Sequence, residues 1–458
     1  MNQNNLSNEL KHPSLLKMTW PIFIELLMGV LTGNIDQLMV SRISQDSVVA
    51  IGNANQVLNL LILTFGIISL STTILISQYI GANQREKLGE IYTLAIVVNI
   101  VVGGIISAVL VIFAHPIAVA MGIDPVIYSD FERYLSIVGG CVFLTAIFNT
   151  FTAIFKSNAM MTEIMCLSIG INIVNIIVNW ILINGIGPLP QMGLTGAALA
   201  TVLSRLIAVI IIICMYYKKI KNSLSIKQLF PFPKKMFGKM LTIGIPSGGE
   251  SISYSITCIV IMVWINGFGI NAASARFYAG MFSCFTWMFA SAISMASQIL
   301  VGYHMGAGDQ NGAEKQVFKT LKLALASSAI IAIGLWLLSG WLFSWVTSSN
   351  NDSSIVPAEV IRLGQTVLMI DIFLECGRAV NMTMVRSLQA AGDTKFPILL
   401  GICSTWLFAV GLSYVLGVRC GMGLPGVYIA MATDELTRAV IFIFRWKSGV
   451  WRTKNLIA

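Results

Sequence analysis

The chain has 458 residues, 56% of them apolar and only 11% charged, with a formal net charge of +9. Soluble globular chains average roughly 25% charged residues, so this composition excludes a water-soluble domain and predicts an integral membrane protein. The basic excess does not indicate nucleic acid, because most Lys and Arg flank apolar runs in short segments.

Residues 1–13 are polar, and the apolar run that follows is long and leads straight into a second. A cleaved leader would be shorter and end at small residues, so this first run is expected to stay in the protein. About 20 apolar residues suffice for a helix to cross a hydrocarbon core of about 30 Å. On that measure spanning helices are predicted over 14–40, 48–78, 91–114, 134–156, 163–184 and 194–217. A second set follows over 237–264, 274–303, 318–343, 360–388, 396–416 and 424–446. None shows the in–out alternation of a barrel strand. The expected fold class is therefore an all-α membrane protein with twelve transmembrane helices.

With both termini cytoplasmic, 21 of the 29 Lys and Arg fall inside, densest between Lys218 and Lys239. Arg42, Arg133, Arg276, Arg362 and Arg419 then fall outside, and Arg205, Arg378 and Arg438 within spans. The asymmetry favours that orientation.

Two stretches repeat. Trp20-Pro21-x3-Glu25 through Gly81-Ala82 recurs 225 positions later as Ile245-Pro246-x3-Glu250 through Gly306-Ala307. Met192-Gly193-Leu194-x-Gly196-x3-Ala200 recurs 230 positions later as Met422-Gly423-Leu424-x-Gly426-x3-Ala430. Six helices per copy is an even number, so the two six-helix lobes form a parallel internal repeat about an axis along the membrane normal. The expected domains are an N-terminal lobe over 1–217, a cytoplasmic interlobe linker over 218–236 containing Pro231 and Pro233, and a C-terminal lobe over 237–458. The extra length of the second copy is expected in an external loop over Thr347–Ser354. Pro21 and Pro246 either bend segments 1 and 7, as hinges or static kinks, or sit in their first turns.

Two homologous apolar lobes are the layout of a transporter with a substrate path between them. No GxxxxGK[ST] motif is present, so pumping would have to draw on an ion gradient. The eight Cys form no CxxC pair, and the three His stand at segment ends. Neither a disulfide or zinc framework nor an enzyme's nucleophile or metal constellation is expected.

The informative polar residues are those inside spans: Glu25 and Asp36 in segment 1, Glu250 in segment 7, Asp371 and Glu375 in segment 10, and Asp434 in segment 12. Each carboxylate costs about 2.5–3.5 kcal/mol near a span's centre, so each needs a partner, a proton or an ion. At the depth of Asp36 come Asn175 and Asn179, which share a helix face at i, i+4, and Thr201. These are oxygen donors, suited to a carboxylate that takes up a proton or holds Na⁺. The competing reading makes the asparagines interhelical hydrogen-bond glue worth about 0.6 kcal/mol each. In the second half, Glu375 and Arg378 at i, i+3 suit a structural ion pair that Glu250 would join. The aromatic set Tyr254, Trp264, Phe277, Tyr278, Phe282, Phe285, Trp287 and Phe289 is expected to face lipid, the alternative being the wall of a cation cavity.

Several motifs in order carry a resemblance: Asp36-Gln37-x2-Val40, Gln78-x2-Gly81-Ala82, Gly196-Ala197-Ala198-x-Ala200-Thr201, Ala391-Gly392-Asp393-Thr394-Lys395 and Arg438-x6-Arg445. Together the chain resembles the multidrug and toxic compound extrusion (MATE) transporters. The resemblance implies two bundles around a central cavity that opens alternately to each side. It also implies a secondary active antiporter exporting cationic or amphipathic organic compounds in exchange for H⁺ or Na⁺. Carried over by motif, a first-lobe coupling-ion site would comprise Asp36, Asn149, Asn175, Asn179 and Thr201. The archaeal and DinF-like branch has an aspartate where this chain has Asn179, which leaves H⁺ and Na⁺ both open. By analogy with NorM-like members, Glu250, Asp371 and Glu375 are candidates for a substrate or second-lobe cation site. No cofactor is expected beyond the coupling ion, and no metal apart from Na⁺ at Asp36. The expected partners are small organic cations and the lipid bilayer, not nucleic acid. The expected setting is a monomer, multi-pass in a prokaryotic plasma (inner) membrane. The alternative within transport is a flippase for a lipid-linked precursor, which would carry several cationic residues in its cavity.

Overall fold

The computed structural model describes residues 14–41, 45–185, 190–220, 224–225, 229–348, 356–454 and 456–457; the side chains of Asn34, Asp36, Gln37 and Gln45 fall outside that description. Lys221 and Lys227 of the expected linker, and most of the expected loop over Thr347–Ser354, also lie outside the described residues.

Among the described residues the regular elements are all helical. In the first half they are α1 (Leu15–Ser41), α2 (Gln45–Gly81), α3 (Leu88–Ile112), α4 (Ala114–Ala120), α5 (Tyr128–Gly140), α6 (Val142–Ser157), α7 (Met161–Asn184) and α8 (Gly193–Lys219). In the second half come α9 (Lys234–Gly267), α10 (Ile270–Gly306), α11 (Gln310–Ser348), α12 (Pro357–Ala390), α13 (Lys395–Ser404) and α14 (Gly423–Lys447). Helix α13 runs on as π-helix over Thr405–Leu412 and Tyr414–Arg419.

Among the described residues nine helical segments are long and apolar enough to cross a membrane by themselves, and α5 with α6, bent by 41° at Cys141, make a tenth. Helices α12 and α14 are long enough too, but carry the buried charges described below. With α5 and α6 taken together and the short α4 set aside, the described helices are consistent with the twelve predicted spans.

The chain forms two compact units. One covers Trp20–Gly244; the other covers Ile245–Ala458 and includes the start of α1 up to Thr19. Both unit edges fall beside a proline: Pro21 and Pro246 lie inside continuous helices, not in their first turns. Proline at such a position removes one intrahelical hydrogen bond.

Each unit buries its own apolar core. In the first, Phe65, Leu110, Phe131 and Leu135 pack with Ile51, Leu58 and Ala198. In the second, Ile265, Phe343, Val367 and Leu374 pack together, and a further cluster surrounds Phe442, Trp446 and Trp451. The two indoles of that cluster stack at 4.2 Å. Lipid covers what the core does not, which accounts for exposed apolar residues such as Ile112, Ile330 and Leu337.

The turn between α9 and α10 is very short. Gly269, at φ +98, has a conformation that L side chains rarely adopt, so α10 starts at Ile270. Arg276, near the outer end of the span predicted over 274–303, lies in the second turn of α10.

Two local features generate tests. A Cβ on Gly364 of α12 would lie 2.2 Å from the Phe343 ring of α11. Gly364→Ala is therefore expected to cost about 1–3 kcal/mol by overpacking, seen as a lower melting temperature in detergent, with Phe343→Leu partly restoring it. At the start of α11, Asp309 Oδ1 accepts the Gly312 amide at 2.8 Å, an N-cap contact. That bond holds the Asp309 carboxyl below its usual range, with His304 beside it contributing. A depressed folded-state pKa gives stability that is present above the unfolded value and lost as pH falls through the folded one. The protection factor of the Gly312 amide should therefore stay high at neutral pH, fall only in acid below the usual aspartate range, and be low at neutral pH in Asp309→Ala, which removes the capping oxygen.

Candidate functional site

In the first unit, α7 buries Asn175 and Asn179 on one face, and Asn179 Nδ2 donates to Asn175 Oδ1 at 3.2 Å. Helices α6, α7 and α8 pack against one another. Asn149 is half-buried on α6, and Thr201 on α8 donates its hydroxyl to the Ala197 carbonyl at 3.0 Å. The Thr201 hydroxyl oxygen keeps acceptor capacity, as do the amide oxygens. Asp36 belongs to α1, but its side chain lies outside the described residues. The structure thus joins Asn175 to Asn179 and places Asn149 and Thr201 on helices packed with theirs.

An ion pair lies elsewhere in this unit. Lys156 Nζ of α6 approaches Glu25 Oε2 of α1 at 2.8 Å, with both side chains largely buried. The repeat relates Glu25 to Glu250, and Lys156-Ser157 to Arg386-Ser387. In the second unit the equivalent pair is not closed. Arg386 Nη1 donates to Gln298 Oε1 at 3.3 Å, and no cation lies within 4 Å of the Glu250 carboxylate among the described residues. Glu250 instead lies along α13, where a Cβ on Gly401 would meet its Oε1 at 3.0 Å. Among the described residues Glu250 makes no ion pair with Arg378 within 4 Å. The two sit on different helices, α9 and α12, and Glu250 extends toward α13.

The pair itself is present, and it belongs to a larger network. Arg378 Nη1 donates to Glu375 Oε1 one turn earlier on α12, and Arg378 Nε lies 3.7 Å from Glu435 Oε1 on α14. Arg438 Nη2 binds both Glu435 Oε1 at 3.1 Å and Asp434 Oδ2 at 2.7 Å. Asn381 Nδ2 donates to Glu435 Oε2 at 2.5 Å, and Ser404 Oγ donates to Asp434 Oδ1 at 2.5 Å. The spacing of these residues on α12 and α14 turns all of them inward. Mutual pairing is what makes so much charge tolerable in an apolar lobe.

Asp371, two turns before Arg378, is buried and accepts from Ser283 Oγ of α10 at 2.5 Å. It borders an open cavity of about 310 Å³ in the second unit, whose walls also include Glu375, Arg378, Arg276, Tyr428 and Tyr254. Arg276 Nη1 donates to the Tyr428 hydroxyl at 3.1 Å, with its guanidinium 5.4 Å from the centre of that ring. Of the aromatic set expected to face lipid, Tyr254 and Trp287 border this cavity, Phe282 is core, and Phe277 and Phe285 lie exposed on the surface.

Sequence reasoning singled out Asp371 and Glu375 but missed Arg276, Ser283, Tyr428 and Glu435 as neighbours. Glu435-x2-Arg438 had a readable i, i+3 spacing. Ser283 and Tyr428 carried no signal, since their roles depend on which helices pack together.

A duplicated bundle of membrane-spanning helices with polar groups buried in each half defines a membrane transporter, and the comparisons agree. The MatE family model matches residues 21–181 and again 246–415, beginning at the two repeat prolines. The chain belongs to the MatE family. It is 34% identical over 98% of both chains to an uncharacterized transporter, YisQ, of Bacillus subtilis. It is 24% identical to a probable multidrug resistance protein, NorM, of Thermotoga maritima, covering 97% of this chain and 94% of that one. Among solved structures, the Vibrio cholerae MATE transporter VcmN in its bent form shares the fold with a TM-score of 0.88 at 18% identity, over 99% of both chains. A MOP superfamily transporter from Pyrococcus furiosus does so with a TM-score of 0.85 at 18% identity, over 96% of both.

The network predicts an order of stabilities. Arg378→Gln leaves Glu375 and Glu435 short of their counter-charge and is expected to cost about 3–5 kcal/mol. Glu375→Gln should cost less, because Arg378 keeps Glu435 and because Glu375 Oε2 has no hydrogen-bond partner to lose. Thermal unfolding of both purified variants checks the ranking.

Proposed function

We propose that the protein is a secondary active antiporter of a prokaryotic plasma membrane, with both termini cytoplasmic, that exports cationic or amphipathic organic compounds in exchange for H⁺ or Na⁺. The observation that carries this reading is the buried amide face of α7, where Asn179 and Asn175 are held together among the packed helices α6 to α8. Uncharged oxygen donors in an apolar surround suit a small cation that must bind and leave again. Asp36 supplies the charge at this site, and Asn149, Asn175, Asn179 and Thr201 supply further oxygens. Glu250, Asp371 and Glu375 serve the second lobe, where substrate or a second cation binds. Relatives described as probable multidrug resistance proteins support the substrate class.

The cycle needs no covalent chemistry. Substrate and coupling ion prefer different conformations, so binding of one shifts the population away from the state that holds the other. The difference in affinity between the two states sets how tightly the exchange is coupled.

One observation favours the lipid-precursor flippase as a second reading: Arg276 and Arg378 border a common cavity, as recognition of an anionic headgroup would require.

Reconstitution into liposomes with a fluorescent organic cation, under an imposed pH or Na⁺ gradient, tests the proposal. Export driven by one of the gradients is expected, falling to the level of empty liposomes in Asp36→Asn while that variant stays folded. Full gradient-driven export by Asp36→Asn would defeat the first-lobe site. Translocation of a labelled lipid-linked precursor without export of the dye would favour the flippase.

A further inference from the structure

The cavity in the second unit carries charge of both signs at separate places on its wall. Arg276, on α10, makes one hydrogen bond, to Tyr428, and forms no ion pair with a carboxylate among the described residues. A guanidinium has five donors, so most of Arg276's donor capacity is uncommitted. The carboxylates lie on α12. Glu375 is 1% exposed, and its Oε2 is buried without a hydrogen-bond partner, Oε1 being taken by Arg378. Asp371 receives Ser283 and no cation. The arrangement leaves Arg276 without a carboxylate partner and Asp371 without a cation on the wall of one cavity, while Glu375 shares its charge with Arg378.

The shared architecture does not require charged groups at these places. The repeat interval places Ile51 and Leu58 where Arg276 and Ser283 stand, Cys141, Thr145 and Phe148 where Asp371, Glu375 and Arg378 stand, and Ala198 where Tyr428 stands. Ile51, Leu58 and Ala198 are buried members of the first unit's apolar core. The same architecture is thus held together by ordinary packing in one lobe and hollowed into a polar cavity in the other. Buried polar groups are costly to leave unsatisfied, so a lobe that keeps them beside open volume is built around something that satisfies them.

We propose that this cavity binds a small amphoteric molecule, its anionic group on Arg276 and its ammonium group on Glu375 and Asp371. The proposal rests on the reading of the protein as a transporter of small organic compounds. A ligand with only a positive charge would face Arg276 and Arg378 across the cavity, and one with only a negative charge would face Asp371 and Glu375. Like-charge juxtaposition of that kind discriminates against the wrong partner. A molecule bearing both charges meets its complement at both ends. The volume, about 310 Å³, equals that of about ten waters, enough for a single ring with a substituent at each end. Tyr254, Trp287 and Tyr428 provide aromatic surface for that ring.

Isothermal titration calorimetry on the purified full chain tests this with three probes: 4-(aminomethyl)benzoic acid, its methyl ester and its N-acetyl derivative. At neutral pH the parent carries both charges, the ester only the positive one and the acetyl compound only the negative one. The parent is expected to bind at least about tenfold more tightly than either derivative, a difference well within the range of charge-assisted contacts. Arg276→Gln should bring the parent down to the affinity of the ester, and Glu375→Gln down to that of the acetyl compound. Binding of the ester as tight as that of the parent, or binding of none of the three, overturns the assignment. Should Arg276→Gln fail to fold, the wild-type ranking decides, with Arg276→Lys keeping the charge but losing the planar fork. The liposome assay reads the underlying function separately. Gradient-driven dye export without preference for the parent leaves the antiporter standing and removes the amphoteric ligand. Preferential binding of the parent without gradient-driven movement does the reverse.

Discussion

Arg378 sits between Glu375 of its own helix and Glu435 of α14, and much of the second lobe is arranged to keep that guanidinium away from hydrocarbon. Arg438 ties Glu435 to Asp434, and Ser404 and Asn381 occupy further oxygens of those carboxylates. A charge inside a bilayer-spanning bundle has no water to fall back on, so each partner has to be supplied by another helix. Three helices, α12, the end of α13 and α14, are thereby fixed against each other by polar contacts as well as by packing. The cavity beside Asp371 opens where this pairing runs out.

The first lobe solves the same architectural problem with different materials. Its polar face on α7 is made of amides, which hydrogen-bond to each other and cost far less to bury than ions. Its buried ion pair, Glu25 with Lys156, joins α1 to α6 instead of gathering into a network. Duplication preserved the order of the helices, the two prolines and the pair Gly196 and Gly426, at which neighbouring backbone comes close. It did not preserve the placing of charge. The division of labour proposed between the lobes follows from that difference.

The helices were legible because each span is long and nearly free of charge. Even α12 and α14, which carry buried charges, keep apolar runs long enough to be read as spans. The Glu375–Arg378 pair was legible from i, i+3 spacing, and the Asn175–Asn179 pair from i, i+4 spacing. The start of α10 came four residues earlier than the predicted 274 because the connection is closed by Gly269, and a two-residue connection cannot be read from hydropathy. Glu250 looked like a member of the ion-pair cluster because charge alone was visible; its direction, along α13 past Gly401, depends on a neighbour 151 residues away. Tyr428 and Ser283 were invisible for the same reason. Periodicity reports which residues share a face, but not which helix that face meets.

The π-helical run that continues α13 also changes how that segment should be read. Closing hydrogen bonds five residues back widens the turn beyond 3.6 residues, so each residue advances around the axis by less than in an α-helix. Over Thr405–Arg419 the lag accumulates. A helical wheel drawn at 100° per residue would rotate Tyr414 and Leu416 progressively away from the faces they occupy. Cross-linking pairs, spin-label sites or accessibility patterns designed on α geometry would drift out of phase along this span while remaining in phase along the neighbouring α14.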